Sequence, residues 1–168
     1  MKIIDLRLVP VPFNPADFFG DGYGIIKEAH DPRGDAIDEL NFALDTDVTF
    51  ITPAPGHEGE RLTCGEAFSR LTGSEDWILY GANIANGLYQ DYLKRGCDSL
   101  LESLREEKGI DKIHFFGDVI SIPEATSCIL MLSWVNTSVI KEDYKWRLTL
   151  CSFETWPFEA FVPAKIIK

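Results

Sequence analysis

A change of hydrophobic period at Gly109 constrains this chain more than any other feature. Before it, apolar residues in the middle of the chain recur every three to four positions. After it they recur every two, the spacing of strands whose alternate side chains face opposite ways. Ile113 to Ile122 reads as a strand or a tight hairpin pivoting on Gly117-Asp118. Thr126 to Val135 is nearly all apolar, Tyr144 to Leu150 alternates, and Phe158 to Ile167 closes the chain. The last sixty residues are therefore expected to form a β-meander. Thr126 to Val135 should be central because both its faces are apolar, whereas Lys145, Arg147 and Thr149 should look to solvent.

Upstream, the apolar cluster between Lys2 and Val11, stopped by Pro10-Val11-Pro12, reads as a first strand. Phe13 to Gly34 is a long excursion rich in Gly, Pro and Asp. Asp35 can cap a helix over Ala36 to Leu44, and Asp47 to Thr52 reads as a strand. Thr63-Cys64-Gly65-Glu66 is a capping box whose helix Gly73 closes. A helix is expected from Trp77 to Arg95, where Ile84, Leu88 and Tyr92 recur every four, and Ser99 to Glu102 opens another that stops at Gly109. The expected fold is α+β: a mostly antiparallel sheet made of the N-terminal strand and the C-terminal β-meander, with helices packed on one face. A length of 168 residues with no internal repeat or linker fits one globular domain, 1–168.

Composition excludes several function classes. Hydrophobic residues at 45% supply a core without metal or disulfide staples, and no apolar run approaches the ~20 residues of a membrane span. The formal net charge of -11 repels phosphate backbones and anionic lipid, so neither nucleic acid nor a membrane is an expected partner. Cys64, Cys97, Cys128 and Cys151 lie about thirty residues apart with no C-x-x-C pair, a spacing that suits neither a disulfide framework nor a zinc motif. They read as reduced thiols in a cytoplasmic protein, and no metal or other cofactor is expected.

Candidate chemistry is sparse. His57-Glu58-Gly59-Glu60 gathers three acid/base or ligand groups in one loop, the basis of an alternative reading as a small metal-assisted hydrolase, but its spacing matches no zinc signature. Asp31 to Glu39 fails as a calcium loop, with Arg33 at the third position and no glycine at the sixth. His114 reads as a sheet histidine. Cys128 and Cys151 read as inert buried thiols, and Cys64, at a helix start, has no histidine placed by sequence to act as its base.

What remains is an acidic segment. Residues 1–76 hold fifteen acids against six bases, and nine of those acids (Asp17, Asp21, Glu28, Asp31, Asp35, Asp38, Glu39, Asp45, Asp47) lie within a stretch whose cations are Lys27 and Arg33. Phe18, Phe19 and Tyr23 are interleaved with them. Aromatic anchors ringed by like charge are what an electrostatically steered protein interface needs. The chain is thus read as a binding protein, not an enzyme: an immunity-type inhibitor occluding a basic protein such as a nucleic-acid-cleaving toxin domain. A structural subunit of a larger complex is a further alternative.

Overall fold

The computed structural model describes residues 7–8, 11–27, 42–43, 49–53, 61–124, 126–155 and 160–167. Its elements run β1 (Arg7–Leu8), α1 (Pro15–Phe19), β2 (Gly24–Lys27), β3 (Phe42–Ala43), β4 (Thr49–Ile51), α2 (Cys64–Thr72), β5 (Trp77–Leu79) and α3 (Ala82–Arg95). A short 3-10 turn (Gly96–Asp98) then leads to α4 (Leu100–Lys108), β6 (Lys112–Ser121), β7 (Ser127–Asn136), β8 (Tyr144–Ser152) and β9 (Val162–Ile166). The class is α+β with antiparallel sheets, as the period change implies.

The principal sheet has the order β2-β6-β7-β8. β7 is central, and its register with β8 runs unbroken from Cys128 opposite Ser152 to Asn136 opposite Tyr144. Period-two alternation sends Ile113, Phe115, Leu130, Leu132, Trp146 and Leu148 to one face, where they form a core with Ile84 and Leu88 of α3 and Leu101 and Leu104 of α4. The intervening residues Phe116, Ile129 and Cys151 point the other way, into a second core with Cys64, Ala67 and Leu71 of α2, Leu79 of β5, and Val162 and Ala164 of β9. Both faces are therefore covered. This explains why β7 carries apolar residues on both of its faces, and it corrects the expectation of helices on one face only: α3 and α4 share a face, whereas α2 takes the opposite one.

Further expectations change. The N-terminal strand does not join the meander: Arg7–Leu8 pairs with Phe42–Ala43, which is strand where the end of a helix was expected. The last strand leaves the meander too, because β9 lies between β4 and β5 in a separate three-stranded sheet. Trp77–Leu79 accordingly belongs to a strand, and the helix begins only at Ala82.

Capping proceeds as the sequence dictates for α2, where the Thr63 hydroxyl accepts from Glu66 N–H and the Glu66 carboxylate accepts from Thr63 N–H at 2.7 Å. In α4 only half of the box closes. Ser99 accepts from Glu102 N–H, but Glu102 turns to Arg105, whose guanidinium donates at 2.7 Å and stacks 4.5 Å above the Trp134 ring.

The N-terminus of α3 is capped from another element. Gly81 precedes the helix with no side chain to offer, and the buried carboxylate of Asp118 on β6 accepts from Ala82 N–H instead. Gly117-Asp118 is thus not a hairpin pivot: β6 is one strand, bulged between Phe115 and Ile120, and the bulge reaches the β5–α3 joint. Asp118→Ala should cost about 2 kcal/mol, because it orphans a buried helix-end N–H. Asp118→Asn, which keeps an acceptor oxygen, should lose less than half of that in urea unfolding. A loss below about 0.5 kcal/mol for the alanine variant would show that the carboxylate does not hold this helix end. Among the described residues, no helix is long and apolar enough to cross a membrane.

Candidate functional site

Of the twelve acidic and aromatic residues expected at a partner interface, the structure places five. Asn14 caps α1 by accepting from Ala16 N–H at 3.2 Å, and Pro15 supplies the fixed φ of a first helical residue. That one-turn helix carries Asp17, Phe18 and Phe19. Gly20 and Gly22, both at positive φ, then turn the chain past Asp21 and Tyr23 into β2. The segment is tied to α3 by two asparagines: Phe13 N–H donates to Asn83 Oδ1 at 2.9 Å, and Asn86 Nδ2 donates to Pro12 O at 3.0 Å.

The aromatic residues form a continuous cluster. Phe18 lies 4.9 Å from Phe19, 5.6 Å from Phe13 and 6.2 Å from Tyr89, ring centre to ring centre, and Phe19 lies 5.6 Å from Tyr23. Phe13 is buried at its base, whereas Phe18 keeps 42% of its surface in water, with Asp17 and Asp21 both exposed. On the following edge strand Ile25 and Ile26 are also exposed, Ile26 by 62%. Glu28, Asp31, Asp35, Asp38, Glu39, Asp45 and Asp47 lie outside the described residues, as do His57, Glu58 and Glu60.

A second constellation had no sequence signature. Cys64 is the first residue of α2, and the segment just after β8 is laid across that helix start: Cys64 N–H donates to Thr155 O at 2.7 Å, and Gly65 N–H to Phe153 O at 2.9 Å. This brings Cys64 Sγ to 3.1 Å from Cys151 Sγ, across 87 residues of sequence. His114 of β6 joins them, one ligand atom from each residue lying within 4.8 Å of the others, and all three residues are buried. Met131, opposite His114 on β7, places Sδ 3.1 Å from the imidazole Nε2.

Electrostatics divide the two thiols. The Cys64 proton is held far above the ordinary thiol range by its hydrogen bond to Cys151, then by burial and the charge on Cys151. Cys151 is shifted down because Cys64 donates to it; burial opposes this, and the nearby charge of Lys112 assists it. Burial, then Lys112, pushes His114 down to about 4, so its imidazole is neutral at pH 7. The thiol next to a helix start thus does have a histidine beside it, contributed by a strand fifty residues away. No family model, curated protein or solved structure matches this chain.

Proposed function

We propose that this is an acidic binding protein that captures a basic protein partner in the cytoplasm and acts by occlusion, without catalysis, as an immunity-type inhibitor acts on a cationic nucleic-acid-cleaving toxin domain. The reading is carried by one pairing of features: Phe18, 42% exposed, stands between exposed Asp17 and Asp21 at the start of a segment with nine acids against two bases. A half-exposed ring on a packed aromatic base can serve as a rigid anchor, because little side-chain freedom is left to lose on binding. The surrounding carboxylates would occupy the subsites where substrate phosphates lie, and their field would speed encounter with a cationic partner.

The test is recovery of the endogenous partner on the tagged full chain at low salt, followed by native mass spectrometry. A stoichiometric basic protein is expected, with retention that falls as salt rises. Recovery of a partner indifferent to salt, or of none at low salt, would overturn the proposal.

A further inference from the structure

We propose that Cys64, Cys151 and His114 form a buried three-donor site for a thiophilic d10 cation, Zn2+ or Cu+. His114 is 1% exposed; its Nδ1 is buried with no hydrogen-bond partner, and Nε2 has only the thioether of Met131, a weak acceptor. A buried imidazole lacking an oxygen or nitrogen partner costs free energy that a fold normally recovers through a hydrogen bond or a ligand.

The thiols point to the same occupant. Two sulfurs at 3.1 Å sit inside ordinary non-bonded contact, yet they are about 1 Å farther apart than a disulfide, whose bond is about 2.05 Å. Around a tetrahedral ion with Zn–S near ~2.3 Å the sulfurs stand roughly 3.8 Å apart, so the pair need only open by less than ~1 Å. A disulfide would use the sulfurs and leave the imidazole orphaned. A cation uses all three groups, and thiolate with imidazole is a donor set that d10 metals select over Mg2+ or Ca2+.

Charge and access agree with a closed site. Binding takes the remaining thiol protons to solvent and leaves two thiolates and a neutral imidazole, which balance Zn2+ to zero net charge in a buried setting. The ligands come from α2, β6 and β8, so the ion would fasten α2 to two strands of the principal sheet. The role is structural, since all three ligands are buried and the ion ties separate elements together.

The experiment uses the full chain, purified in reductant and desalted without oxygen. Metal content is measured as isolated. Zn2+ and Cu+ are then titrated separately against chelators of known affinity, and Co2+ serves as a coloured stand-in. One equivalent of metal is expected, with proton release, a thiolate-to-cobalt charge-transfer band and a raised Tm. The metal found in the protein as isolated identifies the ion. Cys151→Ser should weaken binding at least about 100-fold and remove the cobalt band, His114→Gln should weaken it about 10- to 100-fold, and Cys97→Ser, at an exposed thiol, should change nothing. The cobalt band needs no variant, so a variant that fails to fold does not remove the test. Absence of stoichiometric uptake by the reduced wild-type chain, uptake that survives Cys151→Ser, or a Cys64–Cys151 disulfide in metal-free protein as isolated would each overturn the site.

Discussion

Replacing Gly117 by Ala should destabilise the protein by about 3 kcal/mol in urea unfolding and lower its Tm by roughly 10 °C, while Gly24→Ala on the edge strand should stay within about 0.5 kcal/mol. The cause is a close backbone approach. Gly117 sits in the β6 bulge with its N–H donating to Tyr80 O at 3.0 Å. A Cβ there would stand 2.6 Å from Gly81 N, 2.6 Å from the Tyr80 carbonyl carbon and 2.7 Å from Leu79 O. All three are backbone atoms of the joint between β5 and α3, and they cannot rotate away as the tip of a side chain could. The joint would have to retreat by most of an ångström, loosening the Asp118 cap on Ala82 and the seat of α3 on the first core. At Gly24 the corresponding contact is Ser121 Oγ at 3.5 Å, ordinary van der Waals distance. A loss below about 1 kcal/mol for Gly117→Ala would mean that the bulge does not hold the joint.

This joint marks the limit of what the sequence could disclose. Elements whose signals are local were legible. The Thr63 capping box, the Ser99 cap, the four-residue spacing of Ile84, Leu88 and Tyr92, and the two-sided apolar run that makes β7 central all depend on neighbours within a few residues. Gly117-Asp118 misleads for the opposite reason. A Gly-Asp pair within an apolar run has the chemistry of a tight turn, yet here the glycine admits a backbone thirty-six residues upstream and the aspartate caps that segment's helix. Phe42–Ala43, at the end of an expected helix, and Val162–Ile166, at the end of the expected meander, pair with strands whose choice depends on the whole fold.

The same distinction separates the two sites. Phe18, Phe19 and Tyr23 among acids were visible because composition is local, and the structure adds that Phe13 and Tyr89 brace them. Taken singly, Cys64, His114 and Cys151 read as a helix-start thiol without a base, a sheet histidine and an inert strand thiol. Their meeting requires the β8 tail to cross the start of α2 and His114 to share the α2-facing side of the sheet. Neither follows from spacing. A hint was present at His114, a polar residue set between Ile113 and Phe115 in a strand whose two faces both carry core residues.

Reversing Asp35, Asp38 and Glu39 to Lys should slow association with the basic partner at least about tenfold at low salt and flatten its salt dependence, while changing stability by less than about 1 kcal/mol. The three substitutions exchange three negative charges for three positive ones in the segment where the sequence concentrates its acidity, so the steering field loses its sign there. Phe18→Ala should act on the other rate. Its ring is the exposed end of a packed aromatic cluster, so truncation removes an anchor without altering charge. Dissociation should accelerate by about 30-fold, equivalent to about 2 kcal/mol, with association nearly unchanged. Two controls locate the surface. Lys145 and Arg147 are exposed on β8 with the opposite sign, and Val139 and Ile140 stand almost fully in water in the segment joining β7 to β8. Reversing the first pair, or replacing the second pair by Ser, should leave both rates within about twofold of wild type. Stopped-flow association and surface-based dissociation, each at several salt concentrations, separate these outcomes. Loss of binding in the β7–β8 variants, with the acidic triple variant associating at the wild-type rate, would move the interface to the meander and remove the occlusion mechanism, because a cationic patch repels the partner that the acidic segment is proposed to attract.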